Sequence, residues 1–381
     1  MVYESNRDEE ERIAWLTLKL IPGLGNRSLL RLLKHFGGPK AILRAGGGEL
    51  NIVPGLREQA RFALRKKETV RPAQSEWERL KEEQIRILSL ADSDYPANLK
   101  AIPDPPAVLF IKGTLEARDL VSVSIVGSRA ASPMGMAFTE RLSMDLSQYG
   151  VTIVSGLAVG IDSAAHRGAL KGRGRTLAVL GCGLDVEYPR INSPLRQQIV
   201  TAGALVSEFP LETLPAPVNF PMRNRIISGL SLGVVVVEAA HRSGSLITAR
   251  LALEQGREVF AVPGVARHYR SIGPHRLLKQ GAKLVESAED VLEEIRPLIR
   301  PSWSPAVGKT SKPAEPPKLD ADEMTIFSKL DRHPRHIDDI CRELSWPMGK
   351  VMAVLLNLEL KGNVQQLPGK YFVRLHETVD K

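Results

Sequence analysis

The sequence predicts an α/β protein built on an extended, Rossmann-like, doubly wound and mostly parallel sheet, and three observations carry that expectation. From about residue 76 to 294, short β-branched apolar runs alternate with helix-period segments, the pattern of strands joined by crossover helices. The runs are apolar along their whole length, so burial on both faces is expected, as in parallel sheets. Most close on glycine or a turn residue, as at Gly127, Gly156, Gly181, Gly183 and Gly264.

Residues 1–75 read as a separate helical domain of helix-hairpin-helix or SAM-like type. They carry a weak internal repeat, Ile21-Pro22-Gly23-Leu24 and then Val53-Pro54-Gly55-Leu56, each copy preceding an amphipathic helix. Such a module binds DNA in some settings and merely packs or docks proteins in others. The core, 76–296, holds seven expected strands: Val121 to Val126, Val151 to Val154, Thr176 to Leu180, Ala204 to Ser207, Gly233 to Val237, Val259 to Val262 and Lys283 to Val285. Prolines 301, 305, 313, 316 and 317, with Ser and Lys between them, mark 297–318 as a solvated linker. The remainder, 319–381, reads as three short helices (about Asp322 to Leu330, His336 to Leu344, Met348 to Lys361) and a hairpin of Val364 to Leu367 and Tyr371 to Leu375. That order suggests a winged helix, although Asp338, Asp339 and Glu343 near its second helix disfavour duplex DNA.

With 381 residues and an apolar fraction of 43%, the chain has room for two or three domains and an ordinary core. A net charge of +9 favours an anionic partner, and nucleic acid leads. Cys182 and Cys341 stand far apart with no His or Cys at ligand spacing, so neither a disulfide framework nor a metal site is expected. The acidic N-terminus, and the lack of any run approaching ~20 apolar residues, lead us to expect a cytoplasmic protein with no membrane partner.

Candidate ligand residues gather where strands meet helices. A helix start offers unpaired backbone N–H groups and a partial positive charge, so it suits an anion. Gly127, Ser128 and Arg129 follow one strand; Ser155, Gly156 and Gly160 follow the next; Phe220, Arg223, Asn224 and Arg225 open a third segment; Ser243, Gly244 and Ser245 open a fourth. In an open α/β sheet these turns border one crevice. Structural roles compete at every position: the glycines suit tight turns, the serines cap helices, Phe220 fits a core, and Arg225 has Glu238 as a candidate carboxylate partner. Asp162 and His166, four residues apart, read as a cap and a helix-surface contact rather than as a catalytic pair.

Enzyme motifs fail on inspection. Gly308-Lys309-Thr310 ends like a P-loop but lacks the leading glycine and strand, and Gly181-Cys182-Gly183 lacks the last glycine of a dinucleotide fingerprint. No cofactor is expected.

Taken together and in order, DYPANLKAIPDPPAVLFIKG (94–113), SGLAVGIDSAAH (155–166), TLAVLGCGLDVEYP (176–189), FPMRNRIISGLS (220–231) and SGSLITARLALEQGREVFAVPG (243–264) resemble the DprA (Smf) family of DNA-processing proteins. The resemblance implies a non-enzymatic protein that dimerises, binds and protects single-stranded DNA during natural transformation, and loads RecA recombinase. It also implies a basic pocket formed by Gly127, Ser128 and Arg129 with Arg223, Asn224 and Arg225, beside which Phe220 would serve as a platform for a base. Two other classes stay open. A phosphoribohydrolase-like enzyme would use similar turns, but Thr248 stands where its glutamate is needed; a winged-helix transcriptional regulator would recognise a duplex operator.

Overall fold

The structure, a computed structural model, describes residues 6–299, 319–331, 334–361, 363–367 and 369–374, and divides into two compact units, Met1–Val307 and Gly308–Lys381. In the first unit the described residues form a nine-stranded sheet: β1 (Ile85–Ser89), β2 (Val108–Gly113), β3 (Ser122–Val126), β4 (Thr152–Ser155), β5 (Thr176–Leu180), β6 (Gly203–Ser207), β7 (Gly233–Val236), β8 (Glu258–Ala261) and β9 (Lys283–Leu284). Their order is β1-β2-β6-β5-β4-β3-β7-β8-β9. The seven strands from β3 to β9 pair in parallel, and β1 and β2 add an antiparallel edge.

The parallel strands lie where the apolar runs placed them. The antiparallel pair was not expected from the sequence, for a physical reason. Arg86 interrupts β1, and β1 reaches β2 through a segment broken by Pro96, Pro103, Pro105 and Pro106 instead of through a crossover helix.

Side chains alternate across the sheet. Phe110, Ala178 and Leu205 pack on one face against Trp15, Leu16, Leu18 and Leu29 of the N-terminal helices. Leu109, Val179 and Val206 pack on the other against Ile226 and Ile227. Each fully buried Leu or Phe of this kind contributes roughly 1.5–3 kcal/mol. Apolar packing is therefore continuous across the boundary expected near residue 75. Within the helical region the two hairpins touch each other's helices: Gly23 (φ 76°) lies against Gln59, and Arg31 donates to the Pro54 carbonyl at 3.3 Å beside Gly55 (φ 72°). Strand order reverses between β3 and β7, because β4 lies on one side of β3 and β7 on the other. That reversal is the point where open α/β sheets leave a crevice at their carboxyl ends.

The second unit is a winged helix. Helices Ala321–Lys329, Ile337–Leu344 and Met348–Leu360 pack around Phe327, Ile340, Leu355 and Phe372, with β10 (Arg335–His336), β11 (Val364–Leu367) and β12 (Tyr371–Arg374) forming the small sheet. Asp320 and Glu323 close a capping box at the first helix. The linker from residue 300 to 318, including Gly308, Lys309 and Thr310, lies outside the described residues, as do Pro368 and Leu375.

Candidate nucleic-acid interface

Arg129 reaches the surface on a turn that tight packing leaves little room to move. A side chain at Gly127 would strike Ile161, and Ile161 N–H donates to the Ser128 carbonyl at 3.2 Å. Gly160 has φ 82°, and a Cβ there would overlap the Ser128 and Arg129 carbonyl oxygens. The exposed guanidinium of Arg129 stands 5.0 Å from the centre of the Phe220 ring, and Arg129 forms no ion pair among the described residues. Phe220, half-buried in the first turn of the Asn219–Leu230 helix, leans on Gly181 and lies 5.9 Å from Tyr188. These groups border an open hollow of about 490 Å³, with Asn224, Gly244, Ile247 and three prolines completing its wall.

Two helices start at this hollow, Asn219–Leu230 and Gly244–Glu254, and neither has an acid in its first turn. Ser243 caps the second through the Ser245 N–H, and the Ser243 and Ser245 hydroxyls meet at 2.7 Å. The other two expected anion sites are already filled from within. Glu238 accepts from Ser132 N–H and Ser132 Oγ (2.8 and 2.5 Å) at the start of the Pro133–Gln148 helix. Asp162 accepts from Ala158 N–H at 3.3 Å at the start of Ile161–Lys171. An internal carboxylate at a helix start occupies the place a ligand anion would take.

The structure separates the three consecutive residues Arg223, Asn224 and Arg225, because successive helix positions point about 100° apart. Only Asn224 lines the hollow, its Nδ2 donating to the Gly244 carbonyl at 3.3 Å. Arg223 is buried beneath the turns, where Nη1 donates to the carbonyls of Gly156 (2.7 Å) and Val179 and so staples β4 to β5. Gly156 is required there, since a Cβ would fall on that guanidinium. Burial pushes the Arg223 pKa below the usual arginine range, and Asp162 partly offsets it. Arg225 is also buried; its Nη2 donates to Glu208 Oε2 at 2.5 Å and its Nη1 to the Asp104 carbonyl at 2.6 Å. Its nearest carboxylate is therefore Glu208, with Asp104 Oδ2 at 3.8 Å from Nε, and not the candidate Glu238. Ser155 is structural as well, donating to the Ile125 carbonyl at 2.6 Å, and Ser128 Oγ accepts from Ala130 N–H at 3.1 Å. Tyr188, a lining residue that the sequence did not single out, is an aromatic residue of the 176–189 segment just beyond the glycine turn that follows β5.

Asp162 and His166 are both buried, which corrects the expected helix-surface contact. Thr176 Oγ1 donates to the Ile153 carbonyl at 2.8 Å, so it accepts from His166 Nδ1 at 2.7 Å, and that fixes the neutral imidazole with its proton on Nδ1. Burial, aided by Arg223, pushes the His166 pKa down from 6.5 to about 3. The unfolded chain then binds the extra proton below pH 6.5, so stability should fall as pH drops from there toward about 3, by up to about 1.4 kcal/mol per pH unit. Thermal melts of His166→Asn, which can still donate to Thr176, should show a shallower acid slope than the parent. An unchanged slope would assign acid sensitivity elsewhere.

A Rossmann-like sheet with an aromatic and cationic hollow at its strand-order reversal defines an open α/β protein whose crevice lies where such sheets hold their ligands. Residues 86–296 match the family described as DNA recombination-mediator protein A, and residues 310–370 match the DprA winged helix domain. Protein Smf of Escherichia coli is 45% identical over 289 residues, covering 75% of this chain and 76% of its own length. DNA processing protein DprA of Streptococcus pneumoniae is 42% identical over 274 residues, covering 71% of this chain and 94% of its own. The crystal structure of the Streptococcus pneumoniae protein aligns with a TM-score of 0.66 at 40% identity, covering 74% of this chain and 97% of that one. A structure of DNA processing protein A from Helicobacter pylori, described for its single-stranded DNA binding mode, aligns with a TM-score of 0.51 at 29% identity over 57% of this chain and 98% of that one. The chain belongs to the DprA (Smf) family of DNA-processing recombination mediators. Among the described residues, no helix is long and apolar enough to cross a membrane.

Proposed function

We propose that this protein binds single-stranded DNA at the Arg129–Phe220 hollow, protects it and helps load RecA recombinase during DNA uptake, acting as a cytoplasmic homodimer without catalysing a reaction. The observation that carries the reading is an arginine, without an ion pair among the described residues, held over a half-buried phenylalanine where two acid-free helix starts converge. A guanidinium and backbone N–H groups suit a phosphate, and the Phe220 and Tyr188 rings suit an unstacked base, which duplex DNA does not offer. The Helicobacter pylori relative, described as binding single-stranded DNA, supports the ligand. The RecA and dimer parts rest on family membership. The buried settings of Asp162 and His166 support a non-catalytic role. A duplex-reading regulator is less favoured, since the Met348–Leu360 helix carries one cation, Lys350, already 2.9 Å from Asp322.

The test is fluorescence anisotropy with labelled single-stranded and duplex oligonucleotides across a salt series. The parent should prefer the single strand. Arg129→Ala should weaken it about tenfold for every base sequence and lower the log–log salt slope by about 0.7, with Arg129→Lys rescuing only part. Parent-like binding by a folded Arg129→Ala variant sinks the reading. Turnover of AMP or ATP that Arg129→Ala abolishes would promote the phosphoribohydrolase class.

A further inference from the structure

The chain that follows β8 builds a second aromatic and cationic element beside the hollow. Arg270 Cζ lies 4.7 Å from the centre of the Tyr269 ring, repeating the pairing of Arg129 with Phe220. Arg270 Nε also donates to the Ala130 carbonyl at 2.8 Å, so Tyr269 is one hydrogen bond away from the turn that carries Arg129. The base of this loop is fixed on the β7 side, where Ala239 N–H donates to the Arg270 carbonyl and Gly273 N–H to the Ala239 carbonyl (2.8 and 2.9 Å). Its tip is open: Val265 and Tyr269 are 75% and 52% exposed, and the Tyr269 hydroxyl has no hydrogen bond among the described residues.

Charge runs the same way. No acid occurs between Glu258 and Glu286, and Arg267 at the tip forms no ion pair among the described residues. Arg242, on the turn leading to Gly244, is likewise exposed and without an ion pair there. A positive lip with an exposed ring, rigid at its base and joined to a binding hollow, suits the continuation of a flexible polyanion carrying flat bases.

We propose that Tyr269 is a second base-stacking platform and that Arg267 and Arg242 hold the phosphates beside it, so that a single strand leaving the hollow crosses this lip. This rests on the reading of the hollow as the single-strand site. A short oligothymidylate filling the hollow alone and a longer one reaching the lip, of about 4 and about 20 nucleotides, separate the two claims.

By anisotropy, Tyr269→Ala should weaken the longer strand about tenfold with little change in salt slope and leave the short strand unaffected. Tyr269→Phe should behave as the parent, and Arg267→Gln should lower the salt slope for the longer strand only. If Tyr269→Ala binds both lengths like the parent while Arg129→Ala weakens both, the lip is overturned and the hollow stands. Equal weakening of both lengths by Tyr269→Ala also overturns the lip as a separate platform. Parent-like binding by Arg129→Ala overturns the hollow and this extension together.

Discussion

Replacing Arg225 by alanine is expected to cost the protein its stability and leave the affinity of the folded molecule for single-stranded DNA unchanged. Glu208 is 2% exposed and depends on two cations: Arg225 at 2.5 Å and Lys19 at 3.7 Å. Among the described residues its Oε1 has no hydrogen-bond partner, so the Arg225 bond to Oε2 is its main compensation. Removing the guanidinium leaves a buried carboxylate beside one lysine whose own pKa is pushed down by burial, a change worth about 3–5 kcal/mol. The loss should appear as a lower denaturant midpoint with an unchanged slope. Because Lys19 comes from the N-terminal Asn6–Leu20 helix, Glu208 from the end of β6 and Arg225 from the Asn219–Leu230 helix, the same network ties the helical region to the sheet. Arg225→Met combined with Glu208→Leu and Lys19→Met removes all three charges of the network and should recover much of the stability. A stable Arg225→Ala variant with weakened DNA binding would make Arg225 a phosphate ligand after all.

What the sequence disclosed follows from how each residue is used. Buried parallel strands must be apolar on both faces, so β3 to β8 announced themselves, and the Gly127–Arg129 turn could be recognised because a cation stands two residues after the glycine that follows a strand. β1 and β2 escaped because antiparallel strands need no crossover helix and therefore break the alternating pattern. Arg223 and Arg225 misled because adjacency in sequence suggests a shared surface, whereas on a helix it separates two side chains by two steps of 100°. Their partners, the carbonyls of Gly156, Val179 and Asp104 and the Glu208 carboxylate, lie 17 to 121 positions away, beyond the reach of any local pattern. Glu238 shows the same limit from the other side. Nothing near Ser132 in sequence reveals that a carboxylate 106 positions on already fills that helix start.

Gly160→Ala is expected to damage fold and binding together, because one glycine fixes the turn that presents Arg129. Its backbone, φ 82° and ψ −128°, lies in a region that residues bearing a Cβ scarcely enter, at a cost of about 1–3 kcal/mol. Overlap adds to that strain: the new methyl would meet the Ser128 carbonyl oxygen and the Arg129 carbonyl oxygen, the latter at 2.8 Å. Both are backbone atoms, so no rotamer change can clear them. Either the loop after β4 moves away, breaking the Ile161 N–H bond to Ser128, or the Ser128–Arg129 turn shifts and carries the guanidinium off the Phe220 ring. The variant should therefore lose about 2–4 kcal/mol of stability, and its folded fraction should bind single-stranded DNA about as poorly as Arg129→Ala. Gly244→Ala provides the contrast. It opens a helix at the same hollow, and a Cβ there meets nothing within 4 Å, so it should melt like the parent. Melting curves and anisotropy on both variants decide the matter: a Gly160→Ala protein as stable and as tight-binding as the parent would show that the turn does not need this glycine to place Arg129.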